Sequence, residues 1–414
     1  MKKLRFMWRS GWVLALFMGL LLAGSCPPAA AGAMAPAATQ SATGTLTIAV
    51  LGPMTGGASA LGLGERDGVT LAVEQQNARG GLLGQTVEIK VYDTQCVPAS
   101  AQAAAQQAII QDGLRYIIGD ICSSASTAVA QVANANGALQ VTPTSTSPTV
   151  TQKEDGTVRP YTFRACFIDP LQGRAAAKFA QVTLGAHKAF VMYDGANDYS
   201  QGLAAAFMAE AGARSVSLQS ETYASGTTNF STILGHIAAM NPDIVYLADY
   251  YTVANPVAAQ ARAMGLTVPF MGGDGWDSTD LDFAALDGSY FTNHFSPEDT
   301  RREVGIFDQQ FSLRFNYLPT AAAALGYDAA NLVFRAVDAA GTLDASVVKD
   351  WMPRRVLRGV TGFGPFDALH DPIKTVVIMK VTNTVTYKAM NAGAHFYADV
   401  DLVEPQGYLP FLKR

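Results

Sequence analysis

The sequence predicts an α/β protein of two domains, built on parallel sheets with helices on both faces. Three observations carry this. Short runs rich in β-branched and apolar residues alternate with runs of helix formers along the body of the chain, and that alternation implies parallel sheets covered on both sides. At 414 residues, two domains suit the chain better than one. A content of 49% hydrophobic and 15% charged residues fits a folded globular protein and argues against disorder.

The elements follow in order. TLTIAVLG (45–52) is a β-rich run ended by Gly52-Pro53. ERDGVTLAVEQQNA (65–78), with apolar Val69, Leu71 and Val73, suits a helix that Gly80-Gly81 ends. TVEIKVYD (86–93) alternates as a strand, and SAQAAAQQAIIQ (100–111) consists of strong helix formers. YIIGD (116–120) reads as a short buried strand and SASTAVAQVANAN (124–136) as the helix after it. The pattern repeats through KAFVMYD, GLAAAFMAEAG, SVSLQSETY, FSTILGHIAAM, DIVYLAD and NPVAAQARAMG. Ligands of such folds bind at the carboxyl ends of the strands, where the strand order switches.

The amino-terminal segment reads as an address. Lys2, Lys3, Arg5 and Arg9 form a basic start, Trp12 to Ala23 is an uncharged, mostly apolar stretch, and small residues follow. This is the layout of a secretory signal peptide over residues 1–26, and the apolar run is short for the roughly 20 residues of a membrane span. Two processing routes stay open. AGAMA, near residue 35, suits ordinary signal peptidase; LAGSC places Cys26 in a sequence like a bacterial lipobox, for a lipid-anchored product. Residues 27–44, rich in Ala, Pro, Ser, Thr and Gly, would be a flexible leader either way.

Charge and motifs exclude more than they suggest. The first 44 residues hold four of the 29 bases and no acid, so the remainder carries 25 bases against 34 acids. An acidic body without Lys/Arg clusters argues against nucleic acid, whose phosphates dominate such affinity. LGLGERDG lacks the third glycine of a dinucleotide fingerprint, and there is no phosphate loop, no GxSxG elbow and no His pair at metal-ligand spacing. No cofactor, metal or catalytic residue is therefore expected. The five histidines, His294 among them, are scattered singly and read as surface or packing residues.

Cys96 and Cys122 each lie just beyond a predicted strand. Adjacent parallel strands would bring those ends together, and in an exported protein a disulfide between them is the favoured reading over two separate buried thiols. Such a bond would contribute roughly 3–4 kcal/mol in the chain-entropy model. Cys166, in the apolar-flanked run TFRACFI, is left as a buried free thiol.

The segments also form a recognisable series. The stretch from IAVLGPMTGG to VYDTQCVP resembles the first third of the periplasmic leucine/isoleucine/valine-binding proteins, the receptors of branched-chain amino-acid ABC transporters. The likeness continues in order through RYIIGDICSSAS, QVTPTSTSP, FRACFIDPLQG, YDGANDYSQG, DIVYLADY, PFMGGDGWDS and LGYDAANLV, covering nearly all of 45–380. It implies a type I periplasmic-binding fold, two lobes joined by a three-segment hinge with the ligand trapped between them. One lobe would hold 45–168 and 297–366, the other 169–296 and 367–390, with crossings near Asp169, Ser296 and Phe366. The tail, 391–414, does not show the family's pattern and receives no role.

The same resemblance assigns a site for a zwitterion. Ser123, after the second disulfide cysteine, would bind the ligand carboxylate; the residues alone make Ser123 and Ser124 either an anion site at a helix amino-terminus or a cap. Thr144 and Thr146, with Ser145 between them, fall on the loop that supplies backbone and hydroxyl contacts. Asp274, in MGGDGWDS, matches the family's acidic partner of the ammonium, usually Glu. Asp277 and Asp280 read as caps or surface acids. Tyr199 and Tyr250 match aromatic contacts from the second lobe, with Tyr251 the adjacent alternative. Three departures separate this pocket from the leucine pocket: Leu61 where an aromatic lid is usual, the polar Thr144 and Ser145, and the large ring of Trp276 near the acid. The function implied is capture of a free amino acid, branched-chain or similar, and its delivery to an inner-membrane ABC permease, without catalysis. An amide, urea or aromatic-acid receptor, or a sensor ectodomain, is the alternative on the same fold.

Overall fold

The computed structural model describes residues 44–355, 357–383 and 393–400. The expected signal peptide, leader and Cys26 lipidation site fall outside the described residues. So do 401–414.

The first five strands form one all-parallel sheet: β1 (Thr45–Gly52), β2 (Thr86–Asp93), β3 (Tyr116–Gly119), β4 (Leu139–Thr142) and β5 (Thr162–Arg164), in the order β2-β1-β3-β4-β5. β6 (Lys188–Asp194), β7 (Ser217–Tyr223), β8 (Ile244–Ala248), β9 (Phe270–Gly272) and β10 (Tyr290–Asn293) belong to a second sheet. β11 (Leu357–Gly359) and β12 (Gly362–Gly364) make a small hairpin; β13 (Val376–Thr382) joins the second sheet antiparallel to β10, and β14 (Gly393–Val400) pairs antiparallel with β13 at its edge. Its order is β14-β13-β10-β9-β8-β6-β7. Both sheets therefore change direction of strand order beside their first strand, between β1 and β3 and between β6 and β8, which is where an α/β sheet opens a crevice. The expected parallel sheets are present, with one correction: part of the tail left without a role, Gly393–Val400, is an edge strand.

Helices α1 (Ser59–Ala78), α2 (Pro98–Gln106), α3 (Ser123–Ala135), α4 (Asp169–Val182), α5 (Asp198–Ala213), α6 (Ser231–Met240), α7 (Tyr251–Ala263), α8 (Arg302–Phe315) and α9 (Ala321–Ala340) cover the sheets. α1 starts earlier than the expected Glu65. Gly62 and Gly68 are required by close approach rather than by a turn: a Cβ on Gly68 would fall 1.9 Å from the Ala323 carbonyl oxygen of α9, and one on Gly62 would fall 2.3 Å from the Pro53 oxygen. α9 thus reaches the first sheet from far along the chain. Among the described residues the chain passes between the sheets three times: from β5 to α4, from β10 to α8, and from the hairpin to β13. Among the described residues no helix is long and apolar enough to cross a membrane.

Cys96 and Cys122 lie together at disulfide-bonding distance with Cα atoms 5.5 Å apart, and Cys166 is buried and free. Peptide mapping under non-reducing conditions is expected to recover the Cys96 and Cys122 peptides linked. A Cys96–Cys166 link would contradict this strand arrangement.

Candidate functional site

A narrow cavity, partly open to solvent, lies where the two sheets face each other. Its wall is built from carboxyl-terminal strand ends, as the two order switches dictate. Leu61 comes from α1 after β1, Ile121 follows β3, and Thr144 follows β4. From the second sheet come Tyr199 after β6, Tyr250 after β8, Asp274 and Asp277 after β9, and His294 after β10. Ala321 and Ala322, at the start of α9, close one side.

The aromatic wall has a local cause. Asn197 caps α5, its Oδ1 accepting from the Tyr199 and Ser200 amides at 3.0 and 3.2 Å, which sets Tyr199 in the first turn. The Tyr199 and Tyr250 rings stack with centroids 4.7 Å apart. The glycines of GGDGW make room for them: a Cβ on Gly273 would fall 2.5 Å from the Tyr199 hydroxyl oxygen, and one on Gly275 would fall 2.8 Å from the Tyr250 ring.

Asp274 is nearly buried and is the most heavily braced acid of the wall. Its Oδ1 accepts from Gln172 Nε2 and from the Tyr199 hydroxyl, both at 2.9 Å, and its Oδ2 lies 2.9 Å from His294 Nε2. Gln172 also takes the Asp274 amide on its Oε1 at 2.8 Å, so the residue is held by backbone and side chain together. Burial lowers the pKa of His294 below the usual imidazole range, although the hydrogen bond with Asp274 pulls the other way. Asp277 meets the sequence reading as a cap, but a distant one: its Oδ2 accepts from the Ala321 amide at 2.6 Å, closing α9 from the opposite sheet, and burial raises its pKa.

Across from Asp274 stands the loop after β4. Thr144 donates to the Ile121 carbonyl at 2.9 Å. Ser123, the first residue of α3, is buried and does not line the cavity wall; its hydroxyl accepts from the Ser147 amide at 3.2 Å and so joins the helix start to that loop. Thr146 is buried beside Asp169, whose carboxyl is pushed well up by burial. Ser145 differs from its expected place: its hydroxyl turns inward to the carbonyls of Asp120 and Ile121 at 3.0 and 2.9 Å. Trp276 differs more. The tight turn Asp274–Trp276 sends its ring away from the cavity into the core, where it lies over Gly272 and near Phe291, fully buried. Gln172 went unassigned by the sequence reading, Asp277 was read only as a cap or surface acid, and His294, read as a surface or packing residue, is instead buried against the acid of the cavity. Only the position of His294, directly after a strand's carboxyl end, could have signalled it.

The family model described as periplasmic binding protein matches residues 45–386. The chain belongs to that family. It is a family of solute-binding proteins of ABC transporters, not of enzymes, and it works outside the cytoplasm. The leucine-specific-binding protein of Salmonella typhimurium is 31% identical over 255 residues, 61% of this chain and 67% of that protein. The crystal structure of a leucine binding protein from Thermotoga maritima shares 33% identity at a TM-score of 0.79, covering 86% of this chain and 98% of that one. The branched-chain amino-acid transporter substrate binding protein of Streptococcus pneumoniae, solved with isoleucine, shares 27% identity at a TM-score of 0.77, over 86% of this chain and all of that one. The type I fold expected from the sequence is the fold of these neighbours.

Proposed function

We propose that the protein is the receptor of an ABC importer that captures a free L-α-amino acid between two lobes and hands it to an inner-membrane permease. The observation that carries this is Asp274: a braced, nearly buried carboxylate on a cavity that is also lined by Ile121, just before α3, and by Thr144 of the loop after β4. In this reading Asp274 receives the ammonium. The carboxylate goes to Ser123 at the amino-terminal end of α3, where the helix dipole favours an anion, and to Thr146 on the loop after β4. Leu61, Ile121 and Ala322 give the cavity an apolar wall, which suits an aliphatic ligand side chain. The lobes would be 45–168 with 297–366, and 169–296 with the chain from 367 through β14. The mature protein would lie outside the inner membrane, free or anchored at Cys26.

A ligand that binds only the folded state adds RT ln(1 + [L]/Kd), about 2.7 kcal/mol at a hundredfold excess over Kd. A thermal-shift screen after refolding from denaturant should therefore give its largest shift with one of the twenty L-amino acids rather than with urea, short amides or aromatic acids. A strongest hit without an amino group would show the reading to be wrong.

A further inference from the structure

His294 follows β10, in the second passage between the sheets. Its ring stacks on Phe167, in the first passage, with centroids 3.6 Å apart. The side chain is buried, reaches the cavity wall, and places Nε2 2.9 Å from Asp274 Oδ2. One side chain therefore joins two of the three connecting passages to the acid of the cavity. We infer that His294 is a positioning residue of the amino-acid site, donating from Nε2 to Asp274 so that one oxygen edge stays open to the ligand ammonium. The inference rests on the proposed role of Asp274.

The accounting of lone pairs gives it content. A carboxylate offers about four acceptor positions. Gln172 and Tyr199 occupy Oδ1, and His294 occupies half of Oδ2. One position remains for one N–H of an ammonium, and its direction is fixed because all the other bonds are made. The charge of the brace matters as much as its place. Burial favours the neutral ring, and Lys374 from the third passage favours it further, while Asp274 opposes. A neutral donor orients Asp274 without cancelling its charge. A lysine or imidazolium there would neutralise the acid and remove the preference for a cationic amine. Because a carboxylate only accepts, the ring nitrogen facing it must carry the proton, which leaves Nδ1 bare.

Two variants and one spectrum test this. His294→Phe keeps the stacking on Phe167 and loses the donor; His294→Gln returns an N–H near the Nε2 position. Calorimetric titration with L-leucine should show about 10- to 100-fold weaker binding for His294→Phe, with His294→Gln recovering most of the loss. Equal affinity in wild type and His294→Phe, or equal loss in both variants, overturns the inference. In the ligand-free protein at neutral pH, the nitrogen-15 shifts of His294 should report Nε2–H and a bare Nδ1. A ring protonated at Nδ1, alone or with Nε2, overturns the inference without reference to any ligand. Failure of the wild type to bind any amino acid strikes the proposed function instead, and the nitrogen shifts still decide the role of His294.

Discussion

Asp274→Ala is expected to leave the ligand-free protein folded and to abolish amino-acid binding. The carboxylate stands at the wall of a cavity partly open to solvent, so water can replace it as acceptor for Gln172, Tyr199 and His294 when it is removed. The ligand has no such substitute once the cleft closes. An ammonium stripped of water and deprived of its charged partner costs about 3–5 kcal/mol, between two and four powers of ten in Kd. Circular dichroism should match the wild type, while calorimetry with the best amino acid of the screen should show no measurable heat. Asp274→Asn, which keeps the shape and loses the charge, should fail nearly as badly, because the electrostatic demand rather than the volume is unmet. An alanine variant that binds as tightly as the wild type would remove Asp274 from the site, and the amino-acid reading with it.

What the sequence made legible divides along a physical line. β1 and β2 are found at the expected residues, Thr45–Gly52 and Thr86–Asp93, because local pattern and the turn at Gly52-Pro53 suffice to bound them. The start of α1 was misplaced because Gly62 and Gly64 weaken a helix locally, while the groups that crowd them, the Pro53 carbonyl and the Thr320 hydroxyl, lie outside the helix. β14 was missed because its pairing with β13 is a tertiary matter and its own segment carries little pattern.

In the site, Leu61, Thr144, Tyr199, Tyr250 and Asp274 do line one cavity, and their selection came from the order of motifs, not from the chemistry of any one residue. Trp276 shows the limit of that method. Two residues beyond Asp274 in sequence, it points into the core because a single turn reverses the direction of the side chain. His294 shows the opposite limit. A lone histidine carries no spacing signal, and only the fold brings it against the acid.

The second large effect is expected at Arg164, which the sequence did not single out. Arg164 ends β5 and is fully buried at the first passage between the sheets. Its Nη1 donates to the Ser145 carbonyl at 2.7 Å and its Nη2 to the Ser147 carbonyl at 2.9 Å, the two backbone groups that flank Thr146. Its Nε is ion-paired with Asp371 at 2.6 Å, and Asp371 belongs to the third passage. Arg164→Met removes the cation and leaves a buried carboxylate and two carbonyls without their donor, a loss of about 3–5 kcal/mol of folding stability. Replacing both charges by apolar groups is a different case, since no uncompensated charge remains. The double variant Arg164→Met, Asp371→Leu should regain much of that stability in chemical denaturation. It should not regain ligand affinity, because the loop that carries Thr144 and Thr146 still lacks the guanidinium that held its carbonyls. If Arg164→Met unfolds at the same denaturant concentration as the wild type, the ion pair does not support the passages between the sheets. If the double variant binds ligand normally, Arg164 supports the fold alone and does not shape the site.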